Sequence, residues 1–318
     1  MKMKSLVIIL VCLMATSVFA TNSWKATGGE QYWSEASGWT AGIPDDSQQI
    51  KLANNSGNFA PCILNTAAVN LVTNKLTIGG TASSGLWADS PLLTIVDGGS
   101  IGIGNELQIG DSSSKRGRLV QTGGTLNITG TGKVEVGYKS VAGYGGTYTI
   151  SGGTVAGSET SKLMVGGGGA ANSEGVLTIQ GSAASITVGF FSVGCSDSVG
   201  TYAGTGRVAF EVVNGNVSAI NAGKTYIDPL GAANSITSLL ISATGAAPTA
   251  DILLINNTSN DAVLGVFDNA AEGAIFTLGG VDMTLTYAGG DGNDVMLLIP
   301  EPITMVLFGL GLLAVRRK

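Results

Sequence analysis

Residues 117–145 read GRLVQTGGTLNITGTGKVEVGYKSVAGYG and divide into three short strand-like pieces separated by glycine turns. Arg118-Leu-Val-Gln-Thr122 is followed by Gly123-Gly124, Thr125-Leu-Asn-Ile-Thr129 by Gly130-Thr-Gly132, and Lys133-Val-Glu-Val136 closes at Gly137. Within each piece apolar and polar residues alternate, the period-two pattern of a strand with one buried face. A polar, glycine-rich run over 138–146 leads to Thr147-Tyr-Thr-Ile150, where the pattern starts again.

The unit recurs on both sides. An apolar-x-apolar-Gly motif begins at Leu76, Leu107, Val134, Leu163 and Phe191, at separations of 31, 27, 29 and 28 residues. A near-constant period of this size marks a solenoid, in which each unit buries its apolar face against its neighbours. Three strands per unit predict an all-β fold, a right-handed parallel β-helix of about 29 residues per coil with a cap at each end. Stacking predicts three inward columns: Leu93, Leu119, Tyr148, Leu177 and Val208; Ile101, Leu126, Val155 and Ile186; Ile109, Val136, Val165 and Val193. Gln121 falls on an inward position beside Ile150 and Ile179, which calls for a polar contact along the stack or an irregular coil. Composition agrees: 49 glycines and only 12% charged residues suit short strands and tight turns better than helices.

The boundaries follow. Residues 1–20 form a signal peptide, 21–60 an N-terminal cap rich in tryptophan, 61–225 the β-helix repeats, 226–299 a C-terminal β segment and 300–318 a sorting tail. The leader MKMKSLVIILVCLMATSVFA has Lys2 and Lys4, an apolar stretch, then Val18 and Ala20 before a cut between Ala20 and Thr21. The tail IPEPITMVLFGLGLLAVRRK places a short apolar run between Pro300-Glu301-Pro302 and the basic Arg316-Arg317-Lys318. Residues 303–315 reach about 20 Å as a helix against a hydrocarbon core of about 30 Å. They suit a transient membrane stop with the basic end kept on the cytoplasmic side.

This tail resembles the PEP-CTERM sorting signal, also labelled the ice-binding protein C-terminal motif, a label that does not itself imply ice binding. The resemblance implies export and recognition by a membrane transpeptidase-like exosortase in bacteria that make extracellular polysaccharide. Pro300, Glu301 and Pro302 would be the recognition site, and Arg316, Arg317 and Lys318 the retention lock. The repeats, with Leu253-Leu-Ile-Asn256, Gly273-Ala-Ile-Phe276 and the closing Gly-Gly-Asp-Gly-Asn-Asp-Val295, resemble autotransporter-like passenger repeats.

Several chemistries are excluded or weakened. The chain has no histidine, which removes Ser-His-Asp and Cys-His catalysis and His-ligated zinc. Residues 21–299 carry eleven Lys or Arg against twenty-one Asp or Glu, a net charge of −10, which argues against nucleic acid and anionic membrane as partners. Cys62 and Cys195 lie 133 residues apart. At about 4.8 Å per coil they sit on the order of 20 Å apart, too far for a disulfide that needs Cα atoms within about 7 Å. The carboxylate pairs Asp45/Asp46 and Glu106/Glu135 are the candidates for sugar chemistry, but Glu135 aligns with Gln108 rather than with Glu106. Asp291, Asn293 and Asp294 resemble a single calcium nonapeptide, although calcium there is shared between successive turns. Trp33 and Trp39 offer rings for sugar stacking or, alternatively, for capping.

The expectation is therefore an exported, non-enzymatic surface or matrix protein associated with exopolysaccharide or biofilm, without cofactor or metal. Its partners would be a signal peptidase, an exosortase-type enzyme and exopolysaccharide. The alternatives are a polysaccharide-active enzyme (a lyase or glycoside hydrolase) and a carbohydrate-binding protein on the same scaffold.

Overall fold

The computed structural model describes residues 20–26, 30–52, 60–71, 74–79, 90–110, 116–138, 145–167, 173–195, 204–228 and 235–300. The chain winds as a β-solenoid of about six turns with roughly 30 residues per coil. One coil shows the plan. Gly117–Gln121 belongs to a first sheet, Thr125–Ile128 to a second and Lys133–Val136 to a third. Each pairs in parallel with its counterparts in the coils before and after.

The register places like on like. In the first sheet Cys62, Leu93, Leu119, Tyr148, Leu177, Val208 and Leu239 are successive partners. Ile101, Leu126, Val155, Ile186, Ile220 and Ile255 follow one another in the second. Ile78, Ile109, Val136, Val165, Val193 and Ile227 do so in the third. All of these side chains are buried, so the three columns form the core. A one-residue slip would turn every column outward, so the core itself fixes the register.

Gln121 takes the inward position its place in the strand requires and is fully buried. The Tyr148 hydroxyl donates to its Oε1 at 2.6 Å, and its Nε2 donates to the Thr154 carbonyl at 3.0 Å. The amide is thus satisfied along the stack, which is what lets a polar side chain stand in an apolar column. Cys62 lies in the first sheet's column and Cys195 follows the third sheet's motif; both are buried and neither is bonded to the other.

The N-terminal cap is built from tryptophan. The ring of Trp39 lies edge-on to those of Trp24 and Trp33, with centroids 4.8 Å apart in both pairs. Trp24 donates its ring N–H to the Ala60 carbonyl at 3.0 Å and Trp39 to the Trp33 carbonyl at 2.9 Å. Thr21–Ser23 already pairs in parallel with the strand Gln49–Leu52, which continues into the third sheet. At the far end parallel stacking runs past the sequence-derived boundary at 225. Ile236–Thr244, Ile252–Asn257 and Leu264–Gly265 each extend one sheet. Lengthened strands and unequal connections hide this coil from a search at a fixed period.

The second sheet then changes character. Asp294–Leu298 pairs antiparallel with Ile252–Asn257, and Val281–Gly289 and Ile275–Leu278 complete a meander. The last strand of the first sheet is covered differently. Asp268 Oδ2 accepts from the Thr237 amide at 2.7 Å, and Asn269 exchanges two bonds of 2.9 Å with Leu239. Side chains that occupy an edge's backbone groups prevent uncontrolled pairing with another sheet.

Candidate functional site

The sequence places its candidate carboxylates on the outer side of the third sheet. Strand alternation turns Lys75, Glu106, Lys133 and Lys162 outward as one row of partners, and Thr77, Gln108, Glu135, Met164 and Ser192 as the next. The second row is nonetheless buried, with Glu135 only 2% exposed and Gln108 fully enclosed. Charge therefore sits beneath a cover, and it is paired there. Lys133 Nζ lies 2.7 Å from Glu106 Oε1 and 3.0 Å from Glu135 Oε1, and Lys75 Nζ lies 3.8 Å from Glu106 Oε2. Gln108 donates to Glu135 Oε2 at 3.4 Å.

Glu106 and Glu135 are out of register as strand partners, as the sequence indicates: Glu106 faces Lys133 and Glu135 faces Gln108. They converge because Lys133 and Glu135, two apart in one strand, share a face and Glu106 stands beside that lysine. Lys-x-Glu next to a glutamate one coil earlier is the signal in the sequence that reveals the cluster. Burial pushes the Glu135 carboxyl up to about 7, reinforced by the hydrogen bond and charge of Glu106. Burial also opposes ionisation of Glu106, but its hydrogen bond to Glu135 and the ammonium groups of Lys133 and Lys75 hold it below the usual carboxylate value. The pair is thus differentiated into a carboxylate and a group that keeps its proton toward neutrality, the arrangement general acid–base chemistry uses. Glu135 is deeply buried and, through Gln108, ties its own coil to the preceding one, while Lys75 joins the cluster from a third coil through Glu106.

The two carboxyls have separate pH windows. A carboxyl raised from 4.5 to about 7 in the folded protein stabilises it fully below 4.5, and that contribution is lost as pH rises to about 7. Glu106, depressed by folding, contributes above its unfolded value and loses that contribution as pH falls below it. Urea midpoints measured from pH 4.5 to 7.5 are expected to fall across the Glu135 window in the native sequence and to flatten in Glu135→Gln. An equal slope in both proteins would assign the titration to other groups.

The remaining candidates occupy structural positions. Asp45 lies in an exposed turn, where hydrogen bonds from the Ser47 hydroxyl and amide hold its carboxyl below the usual value. The Asp46 carbonyl accepts from the Asn74 amide group. Trp33 and Trp39 are 2% and 1% exposed, so their rings pack against each other in the cap and present no face on which a sugar can stack. The Gly-Gly-Asp-Gly-Asn-Asp segment forms the turn before the last strand, with Gly290 and Gly292 at positive φ. Asp294 Oδ1 accepts from the Asn257 amide at 2.9 Å. Among the described residues no three His, Cys, Asp or Glu side chains gather as a metal-binding group.

At the two ends the folded body meets the processing signals. Ala20 is exposed and Thr21 opens the first strand, so a cut between them leaves that strand whole. The Ile299 amide donates to Asp251 Oδ1 at 2.8 Å, and Pro300 follows, exposed. Glu301, Pro302, Arg316, Arg317 and Lys318 lie outside the described residues. So does the stretch 303–315, and among the described residues no helix is long and apolar enough to cross a membrane.

The molecule is thus a β-solenoid followed in the sequence by a tail of distinct composition. Residues 298–318 match the PEP-CTERM protein-sorting motif. No curated protein and no solved structure matches the chain. The motif marks an exported protein directed to the cell surface and processed by an exosortase-type enzyme.

Proposed function

We propose that the solenoid is a non-enzymatic structural element of the cell surface or extracellular matrix, a spacer or adhesive scaffold associated with extracellular polysaccharide. The observation that carries this reading is the direct junction between a rigid solenoid and a surface-sorting motif, with the last body strand ending at Leu298 and the motif beginning there. The outer side of the second sheet adds to it. Ser100, Thr125, Thr154 and Ser185 form one row of partners, and Asn127, Ala156, Thr187, Asn221 and Asn256 the next. These positions are uncharged in an otherwise acidic body and favour a neutral, hydroxyl-rich polymer over a polyanion. The burial of Glu135 supports the non-enzymatic reading over a polysaccharide lyase or glycoside hydrolase.

The test incubates the purified chain with the producing organism's own extracellular polysaccharide and follows polymer length by size exclusion with light scattering. Unchanged polymer length with co-elution is the expected result. Shortened polymer would overturn the non-enzymatic reading, and unchanged polymer without co-elution would overturn the association.

A further inference from the structure

The outer sides of the first and second sheets differ in chemistry. The second presents mainly serine, threonine and asparagine, whereas the first presents a more apolar face. The middle row of that face passes through Tyr32, Ile63, Val120, Thr149, Ala209 and Leu240 and holds no charged side chain in any coil. Leu92 and Val176 stand in the row beside it. Tyr32 and Leu240, at the two ends of the middle row, are 42% and 47% exposed, so large apolar side chains are left open to solvent there. The sheet has eight strands. At about 4.8 Å apart they make a face about 35 Å long, and five residues across it span about 17 Å. Two such faces in contact bury about 1,200 Å², the lower end of the range for specific interfaces.

Charge decides how two such faces meet. In the strand Gly204–Val213, Val208 and Phe210 are buried while Arg207, Ala209 and Glu211 turn outward. Arg207 and Glu211 thus stand two positions to either side of the middle row. A two-fold axis parallel to the solenoid axis, laid over that row, sets each of its residues against the same residue of a second copy and exchanges the rows on either side. Arg207 then faces the partner's Glu211, and Glu211 faces the partner's Arg207, the self-complementarity an isologous interface requires. Both groups are open to such pairing. Arg207 lies 3.8 Å from Glu174 with nearly half of its side chain exposed, and Glu211 makes no ion pair among the described residues. Arg118, another cation on this face, comes opposite the partner's Thr122 and meets no like charge.

We propose that the outer face of the first sheet joins two copies of the chain side by side and in parallel. The same axis leaves both C-terminal ends together, where the last strand, Asp294–Leu298, runs into the sorting motif. Two chains directed to one surface can meet in that arrangement. A two-fold across the stack would instead carry one motif to the far end, about 35 Å away. The inference does not depend on the polysaccharide reading, and it leaves the second sheet of each copy uncovered.

The test is sedimentation equilibrium of the purified full chain over a range of concentrations, in a non-denaturing detergent that solvates the tail. A dimer is expected. Arg207→Glu and Glu211→Arg should each weaken it about tenfold or more by setting like charges together, and the two changes combined should restore it. A melting curve for each variant confirms the fold. Ala209→Cys, on the axis, should give a covalent dimer with a short bis-maleimide, whereas the native chain, whose Cys62 and Cys195 are buried, should not. A monomer at every concentration, dimers indifferent to both charge reversals, or no cross-link at position 209 would overturn the proposal. A monomer whose co-elution with the polysaccharide is lost in Arg207→Glu would assign the face to the polymer instead.

Discussion

Gly137→Ala is expected to cost about 4 kcal/mol or more, beyond the range of ordinary substitutions. Two independent costs meet at this residue. Its φ is +87°, in the region where an L side chain pays about 1–2 kcal/mol. A Cβ there would also fall 2.1 Å from the Glu174 carbonyl oxygen, 2.3 Å from its carbon and 2.6 Å from the Gly175 nitrogen. All three are backbone atoms at the start of another coil, so no flexible side chain can yield. Relief requires the coils to separate and breaks hydrogen bonds such as that from the Gly137 amide to Ile109. Gly130 is the internal control. It too has positive φ, +54°, but nothing lies within 4 Å of its notional Cβ. Gly130→Ala should cost only the conformational part, about 1 kcal/mol. Urea midpoints of the two variants measure the difference. Equal losses would mean that the corner is not close-packed.

That contrast shows what the sequence reveals and what it conceals. The apolar-x-apolar-Gly recurrence reveals both the repeat and the glycine at its corner, because positive φ and backbone approach each exclude a side chain. It marks Gly137 and passes over Gly130, but the crowding itself comes from Glu174 and Gly175, far along the chain, and is not visible in the motif. The inward columns from Leu93 to Val208 are legible because alternation has a strict period of two. Alternation assigns Gln108 and Glu135 to the outside of the third sheet, and there it stops. It tells which side of a strand a residue occupies, not whether that side is covered. The cap tryptophans pose the same difficulty. An aromatic cluster suits either a binding platform or a lid, and only the burial of Trp33 and Trp39 separates the two. Thr225 occupies a third-sheet position after Phe191 and reads as a polar interruption of the column.

The charged cluster leads to the second large effect. Lys133→Met is expected to destabilise the chain by about 2 kcal/mol. Removing one partner of a fully buried ion pair costs about 3–5 kcal/mol because the survivor remains desolvated, and the partial exposure of Lys133 reduces that figure. Methionine retains most of the aliphatic stem, so the loss reports the ammonium rather than packing. Glu106 and Glu135 would then share one site with Lys75 as the nearest cation, 3.8 Å from Glu106 alone. Two carboxyls in such a site cannot both stay ionised at low cost, so the proton on Glu135 becomes harder to remove. The variant should consequently lose most stability at high pH and least near pH 4.5. Adding Glu106→Gln and Glu135→Gln to Lys133→Met removes the stranded charges and should recover more than half of the loss. Urea denaturation of the single, double and triple variants at pH 5 and pH 8 measures the coupling. Additive losses, or a Lys133→Met effect that does not depend on pH, would show that the three side chains are neighbours without being a network. Recovery in the triple variant would show that the charges add little net stability and that the core columns set the register without them, since a neutral ladder then holds the same coils together.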